Sequence, residues 1–496
     1  MENLTMLQFF EWYYPADGSL WRFFASEARR LKDIGIDTVW LPPAHKGMGG
    51  EQASGYDSYD LYDLGEFDQR GGVRTKYGTK QEYIDAVQTG KQAGLKIYAD
   101  IVLNHMGGAE EREEITVRKV NPENRTEFIS EPYQIEAFTK FTFPARAGKY
   151  SDFIWDHNCF AGVDYDARKQ ETAIYKIQNE YGEDWQEVMS DELGNYDYLM
   201  LSDIDFRNPQ VREELKRWGK WFYETAGFDG FRLDAIKHMD PGFFNEWLDD
   251  MRAEFSSEFY TVGEYWAPGN LGAMLKYIEA TQERMSLFDA PLQANLHRAS
   301  IEGKDYDLRT IFDDTLVQAR PELAVTLVEN HDTQPLQSLE QTVEPWFRPL
   351  AYALILLRAG GYPCVFYTDL YGSSYEDSDK EGQTQRVTME KMRELEALLF
   401  LRKHHAYGVQ VDYFDDPQCI GWTRQGDEAH PGSGCAVLMS NGLGTTKAME
   451  MGKSFAGIVF TDHLGKIDEQ VIINEDGWGE FKVYAGSVSV WAPAGQ

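Results

Sequence analysis

The stretch KIYADIVLNH, Lys96–His105, decides the fold. An apolar, β-rich run, Lys96–Leu103, ends in polar Asn104 and His105, and it follows an amphipathic helical pattern, Lys80–Ala93, closed by Gly94. Working outward, the same succession recurs along the chain. The spacing predicts strands at Leu4–Phe9, Ile36–Leu41, Lys96–Leu103, Asp229–Leu233, Tyr260–Gly263, Met285–Phe288, Ala324–Val328 and Tyr362–Tyr367. Helical patterns fall between them, among them Leu20–Ile34, Val211–Ala226, Phe243–Phe255 and Trp346–Ala359. Pro209 and Pro241 stand near helix starts, and Gly35, Gly94 and Gly227 just past helix ends. Strands alternating with helices in this way build a parallel sheet, here expected to close as a (β/α)8 barrel.

Two intervals break the rhythm. Roughly a hundred residues, 106–202, separate the third strand from the fourth. Their pattern is irregular, with turn clusters at Asn121-Pro122 and Gly194-Asn195, and residues 151–200 carry twelve acids against three bases. An inserted subdomain is expected there, since loops at the C-terminal ends of barrel strands accept insertions. The barrel then comprises 1–105 and 203–400. From 401 to 496 the pattern becomes all-β, with strand-like runs at Cys435–Met439, Gln470–Asn474, Glu480–Tyr484 and Ser487–Trp491 and turn signals at Asn441-Gly442 and Asp476-Gly477. A closing antiparallel β-sandwich is expected.

Composition narrows the function. The 496 residues include 82 acids and 48 bases, a formal charge of −34, and a surface this negative repels phosphate backbones. Nucleic acid is therefore not an expected partner. The longest apolar run, Leu350–Leu357, stops at Arg358, too short to span a membrane. Aromatic residues make up 14 % of the chain, a supply of flat rings that suits stacking on sugar faces as well as core packing. Cys159, Cys364, Cys419 and Cys435 are scattered and form neither a disulfide framework nor a metal motif. Met1-Glu2-Asn3-Leu4 lacks the basic and apolar blocks of a secretory signal. A cytoplasmic location is expected, or a secreted one for a chain whose signal was removed.

Function in such a barrel gathers past the strand ends. Polar residues stand there at Asp100–His105, Arg232–His238, Glu264–Trp266 and Glu329–Thr333. Arg232 and Asp234 are two apart on a strand, so both point to one face. A neighbouring guanidinium would keep Asp234 ionised, as a carboxylate nucleophile requires. Partial burial beside Trp266 would raise the pKa of Glu264 toward that of a general acid. Asp332 adds a third carboxylate, and paired carboxyls flanking a scissile bond are the apparatus of glycoside hydrolysis. Singly, each residue has a structural reading: Asp100 bonding loop amides, Arg232–Asp234 a structural ion pair, His105 and His331 core histidines. Convergence from four strand ends favours catalysis.

The segments DIVLNH (Asp100–His105), GFRLDAIKH (Gly230–His238), GEYW (Gly263–Trp266) and ENHDTQP (Glu329–Pro335) resemble the four signature regions of the α-amylase family, glycoside hydrolase family 13. MLQFFEWYYP, GYDSYDLYDLGEFDQ, RTKYGTK and GNYDYLM extend the likeness to the liquefying bacterial type and its cytoplasmic relatives over nearly the whole chain. The resemblance implies a TIM barrel with an insertion after strand three and a C-terminal β-sandwich. It also implies endo-acting, retaining hydrolysis of α-1,4-glucans such as starch, glycogen or maltodextrin by a monomeric enzyme. Asp234 would be the nucleophile, Glu264 the acid/base and Asp332 the transition-state stabiliser. Tyr56, His105, Arg232 and His331 would surround the sugar at the cleavage point, Lys237 and Trp266 would meet the leaving-group side, and His238 would also bind substrate. Retention sets an expected separation of roughly 5–5.5 Å between the Asp234 and Glu264 carboxyls.

The resemblance further implies one calcium ion on Asn104, Asp197, Asp203 and the carbonyl of His238, oxygen donors that suit a hard cation. Several relatives hold additional cations on extra aspartates, where this chain has Ala161, Gln186 and Arg207. Asp184 and Glu187 could substitute in part. Arg207 puts a positive charge at that place, so a single ion is expected. Two other functions remain open to the sequence. A transglycosylase would use the same residues with a sugar hydroxyl in place of water. A retired, non-catalytic glucan-binding protein would have lost a carboxylate, yet all three are present.

Overall fold

The computed structural model describes residues 3–256 and 259–494. Eight parallel strands close the barrel: Met6–Gln8, Thr38–Leu41, Lys96–Ile101, Gly230–Leu233, Tyr260–Gly263, Ser286–Phe288, Ala324–Leu327 and Tyr362–Phe366. They match the expected strands one for one; Tyr260–Gly263 keeps its expected bounds and the other seven are shortened at one or both ends. Strand one pairs with both strand two and strand eight, so the sheet has no edge. Nearly every barrel-strand residue is buried, as a sheet covered on the outside by helices and filled within by side chains demands. Gly230 shows how tight the barrel floor is. A Cβ there would stand 2.6 Å from the carbonyl of Tyr260 and 2.7 Å from the Tyr98 ring.

The helix signals work as expected. Thr79 and Glu82 form a reciprocal capping box at the start of helix Lys80–Gln92. Asn208 caps helix Pro209–Ala226, and Gly227 ends it in a left-handed conformation, φ 71°. Helices Leu271–Ala280, Ala290–Glu302 and Leu395–His404 complete the outer layer.

Residues 106–202 are more regular than their sequence suggests. They form most of a seven-stranded sheet with Glu111–Asn121, Tyr133–Lys140, Phe160–Asp166 and Glu171–Ile177 as its long strands. Strand Ser202–Ile204 belongs to this sheet, pairing with Phe160–Asp166 and with the extension His105–Met106 of barrel strand three. The expected division at 202/203 therefore cuts through a strand. The division at 400/401 falls inside helix Leu395–His404, which packs on helix Arg348–Leu357 of the barrel. The β tail begins at Gln410 with a six-stranded sheet, and the ribbon Thr445–Glu450/Trp478–Val483 lies across it. Trp422 and Trp491 are fully buried in that tail and serve as core. All four cysteines are buried and free. Among the described residues, no helix is long and apolar enough to cross a membrane.

Candidate active site

Strand four supplies the centre of the site. Arg232 and Asp234 project to one face, and Ala235 then turns left-handed, φ 50°. That turn sends the chain into a short helical turn, Ile236–His238, beneath the insertion. Arg232 is completely buried, and its guanidinium gathers three carboxyls from three strands. Nη1 donates to Asp234 Oδ1 at 2.6 Å and to Asp100 Oδ1 at 3.0 Å, while Nη2 donates to Glu264 Oε2 at 2.8 Å. The Ala235 amide adds a bond to the same Glu264 oxygen at 3.2 Å. One planar fork thus fixes the two carboxyls expected to do the chemistry relative to each other.

Asp100 does not bond loop amides. Its Oδ2 accepts from Trp40 Nε1 at 2.9 Å and from the Tyr56 hydroxyl at 2.7 Å. Barrel strand two and the loop after it therefore join the site, through Trp40, which sequence patterning reads as core, and through Tyr56, which the resemblance places beside the sugar. Trp40 also lies under the guanidinium, 4.8 Å from its ring centroid. The Tyr56 ring lies near-parallel to those of Trp12 and His331, with centroids at 5.9 and 4.9 Å, and those two rings are themselves 6.2 Å apart. Gln8 Nε2 donates to His331 Nδ1 at 3.1 Å, which leaves the ring proton on Nε2, 3.3 Å from Asp332 Oδ2. His105 donates from Nε2 to the carbonyl of Tyr56 at 2.7 Å. Trp40, Gln8 and Trp12 escaped the sequence reading; the signal for them was their place at or just past the ends of strands one and two.

On the far side, Lys237 Nζ reaches the carbonyl of Trp266 at 3.2 Å and the carboxylate of Glu192 at 2.6 Å. Glu192 comes from the insertion, so the insertion forms one wall of the cleft. His238 Nδ1 donates to the carbonyl of Tyr196 at 2.7 Å. All the expected site residues are thereby drawn to the C-terminal mouth of the barrel.

The electrostatics separate the carboxyls by role. Burial raises Glu264 to about 8 against the downward pull of Arg232, with Asp234 and Asp332 adding to the rise. Burial likewise raises Asp332 and Asp100. His331 is held well below its ordinary range by burial and by Arg232, so its ring is neutral. Glu264 is thus a protonated acid at neutral pH, and Asp234 makes the shortest of the three contacts with the cation.

A second cluster lies where the insertion meets the barrel. Register places Asp203 beside His105, the neighbour of Asn104, and the Ile204 amide donates to the carbonyl of Asn104 at 2.9 Å. Asp197 follows Tyr196, whose carbonyl holds His238. Asn104 Oδ1 and Asp203 Oδ2 are buried without a hydrogen-bond partner. Burial and the neighbouring charges of Asp197 and Asp205 raise Asp203 far above the usual carboxylate range. Orphaned oxygens and crowded buried acids are a donor set that a hard cation would satisfy. Among the described residues no group of three or more His, Cys, Asp or Glu side chains converges as a metal cluster; this set rests on two carboxylates plus amide and carbonyl oxygens. The three departures from a multi-cation cluster have local explanations. Arg207 pairs with Asp205 at 2.6 Å, Gln186 bonds Asp197 from its amide at 3.1 Å, and Ala161 is core. Lys176, fully buried nearby, adds a positive charge that sequence reading passed over.

The chain is similar to known proteins along nearly its whole length. A family model described as Alpha amylase, catalytic domain, matches residues 26–399, and one described as Alpha-amylase C-terminal matches 436–492. The chain is 48 % identical to a protein named Cytoplasmic alpha-amylase from Escherichia coli (strain K12), covering 99 % of each chain. It is 49 % identical to an Alpha-amylase from Geobacillus stearothermophilus, covering 99 % of this chain and 87 % of that one. A Glucan 1,4-alpha-maltohexaosidase from Bacillus sp. (strain 707) is 46 % identical over 99 % of this chain and 92 % of its own. Among solved structures, an Anoxybacillus alpha-amylase superposes with a TM-score of 0.64 at 17 % identity over 100 % of this chain and 98 % of that one, a likeness of fold.

Proposed function

The chain belongs to the α-amylase family, and from that membership we propose a role for each residue of the cleft. The reaction is endo hydrolysis of α-1,4-glucosidic bonds in α-glucans. Asp234 attacks the anomeric carbon while Glu264 gives its proton to the glycosidic oxygen. The carbon–oxygen bond breaks, the leaving chain departs as a neutral alcohol, and a glycosyl ester forms on Asp234. Glu264, now a carboxylate, takes a proton from water, whose oxygen displaces Asp234 and restores both groups. Asp332 faces the ring carrying the developing positive charge, and neutral His331 presents its Nε2 proton beside it. Tyr56 offers its ring face to the sugar, while its hydroxyl is held on Asp100. Lys237, His238 and Trp266 bind the leaving portion.

The observation that carries this reading is the buried guanidinium bridging Asp234 and Glu264, with Asp332 close enough to act on both electrostatically. Asn104, Asp197, Asp203 and the His238 carbonyl would hold one calcium ion. Calcium is general in the family. Its contribution would be to pin the insertion wall, and with it Lys237 and His238, to the barrel. With Asp205 paired to Arg207 and Lys176 buried beside the acids, little negative charge is left for a second ion. A cytoplasmic setting is supported by the relative named as cytoplasmic, which matches this chain end to end.

The test follows amylose viscosity and reducing ends together, for the parent chain and Asp234→Asn, with calcium present. Viscosity collapsing before reducing ends accumulate, and a dead variant, is the expected result. Lengthening of short maltodextrins with few new reducing ends would make the chain a transglycosylase. An active Asp234→Asn would overturn the assignment of the nucleophile.

A further inference from the structure

Two histidines meet where the β tail joins the barrel. His405 follows helix Leu395–His404, which packs on helix Arg348–Leu357, and His463 follows tail strand Val459–Asp462. Their ring centroids stand 5.4 Å apart, with the planes tilted by 58°. His405 is 1 % exposed, and neither of its ring nitrogens has a hydrogen-bond partner. Nε2 of His463 is buried and unpaired as well, although the residue itself is partly exposed. A neutral imidazole carries one N–H and one lone pair, so three buried nitrogens without partners are costly unless something bound beside them satisfies them.

The side chains around the pair do not supply that partner. The Asp462 carboxylate, next in the chain to His463, is spent on the amides of Leu464, Lys466, Ile467 and Val490. His404 is exposed and lies against Phe400, with ring centroids 4.6 Å apart. The Gly432 carbonyl acts on the His405 ring from one side without reaching hydrogen-bond geometry. A carbonyl or carboxylate on one ring nitrogen is the usual companion of a histidine whose other nitrogen holds a metal ion. The spacing fits the same reading. Zinc–nitrogen bonds of about 2.0–2.1 Å put each ring centroid about 3.2 Å from the ion, so two ligands at a tetrahedral angle have centroids about 5.2 Å apart. The observed 5.4 Å matches that separation.

We propose that His405 and His463 bind one zinc-like transition-metal ion through their imidazole nitrogens, and that the ion clamps the β tail to the barrel. Imidazole suits zinc, nickel or copper and not calcium, so the chemistry of this site is distinct from that of the oxygen donors at Asn104 and Asp203. Among the described residues no group of three or more His, Cys, Asp or Glu side chains converges, so water completes the coordination from the partly exposed side of His463.

The test titrates the full chain with zinc chloride by calorimetry at neutral pH, with calcium in excess so that oxygen-lined sites are filled. One zinc per chain is expected, together with a rise in the thermal midpoint. His463→Ala should weaken binding by at least about 100-fold and abolish that rise, since removing even a group behind a metal ligand costs about 10- to 100-fold. His405→Phe, which keeps a ring in the core, should do the same. His463 is partly exposed, so the result for His463→Ala stands even should His405→Phe loosen the seam. Amylose hydrolysis without zinc should be unchanged in His463→Ala and shows that the variant is folded. His404→Ala should bind zinc as the parent does. A parent chain that binds no zinc, its histidines bridged by water alone, overturns the proposal. So does zinc binding that survives His463→Ala, or binding lost in His404→Ala, which would put the ion on the exposed face of the helix.

Discussion

Replacing Arg232 by lysine tests whether the site depends on one planar cation. The guanidinium makes three charge-assisted bonds, at 2.6, 2.8 and 3.0 Å, to carboxyls on three strands. An ammonium on a shorter stem keeps the charge yet cannot meet Asp100, Asp234 and Glu264 together. Two of the three bonds are expected to be lost, each contributing about 1.5–3 kcal/mol. The resulting loss of about 3–6 kcal/mol in transition-state organisation corresponds to a fall of about 10² to 10⁴ in kcat/KM. Folding should survive, because the buried carboxylates are still compensated; Arg232→Ala, which leaves them bare, should cost about 3–5 kcal/mol of stability. A pH profile gives the second readout. Arg232 pulls the Glu264 pKa down, so a cation withdrawn from Glu264 lets that pKa rise. The proton donor works below its pKa and fails above it, so the alkaline limb should move to higher pH. Steady-state kinetics on a soluble maltooligosaccharide, with circular dichroism and a thermal midpoint as controls, would measure all three quantities. A folded lysine variant within about threefold of the parent, or a crippled one with an unmoved alkaline limb, would refute the reasoning.

Asp332→Asn removes a charge that raises Glu264, so the alkaline limb of its residual activity should shift to lower pH; an unmoved limb would mean that the two carboxyls do not interact. Calcium should raise the thermal midpoint, and chelation should lower it. An ion present at about 1,000 times its dissociation constant adds about 4 kcal/mol. Asp203→Asn should abolish that response, and a variant still stabilised by calcium would place the ion elsewhere. Gly230→Ala should cost about 1–3 kcal/mol by overpacking, because a backbone carbonyl 2.6 Å away cannot yield as a flexible side chain would. Chemical denaturation measures it.

The barrel was legible because parallel strands buried on both faces leave continuous apolar runs, and glycines and prolines punctuate their helices. The insertion was not. Glu111–Asn121 reads EREEITVRKVN, with buried Ile115, Val117 and Val120 spaced among charges that face solvent, so its apolar signal is diluted by half. Strands of two or three residues, such as His105–Met106 and Ser202–Ile204, fall below any periodicity. In the tail, Gln410–Asp416 and Thr445–Glu450 were missed for the same reason, being half-exposed and polar. At the site, charged residues at strand ends announced themselves by their oddity. Trp40 and Gln8 did not, since a tryptophan in an apolar strand looks like core. The role of Asp100 stayed open in the sequence because its partners, Trp40, Tyr56 and Arg232, come from distant parts of the chain.

Charge balance in the cleft argues for the division of labour between the carboxyls. Asp100, Asp234, Glu264 and Asp332 would together carry four negative charges when ionised, and Arg232 is the cation bonded among them. His331 and His105 cannot help, since burial holds both below the ordinary histidine range. A buried site cannot sustain such an excess, so protons must stay on some of the acids at neutral pH. Which acids keep them is set by geometry. Asp234 has the closest guanidinium contact, and Asp100 shares that same nitrogen while accepting two further donors. Glu264 and Asp332 have the weaker compensation and the larger upward shifts among the assigned carboxyls. The proton that electrostatics forces the site to retain thus resides on Glu264, the group placed to donate it to a departing glycosidic oxygen. Burial, with four acids crowded around one arginine, therefore makes a general acid at neutral pH without any dedicated device to raise its pKa.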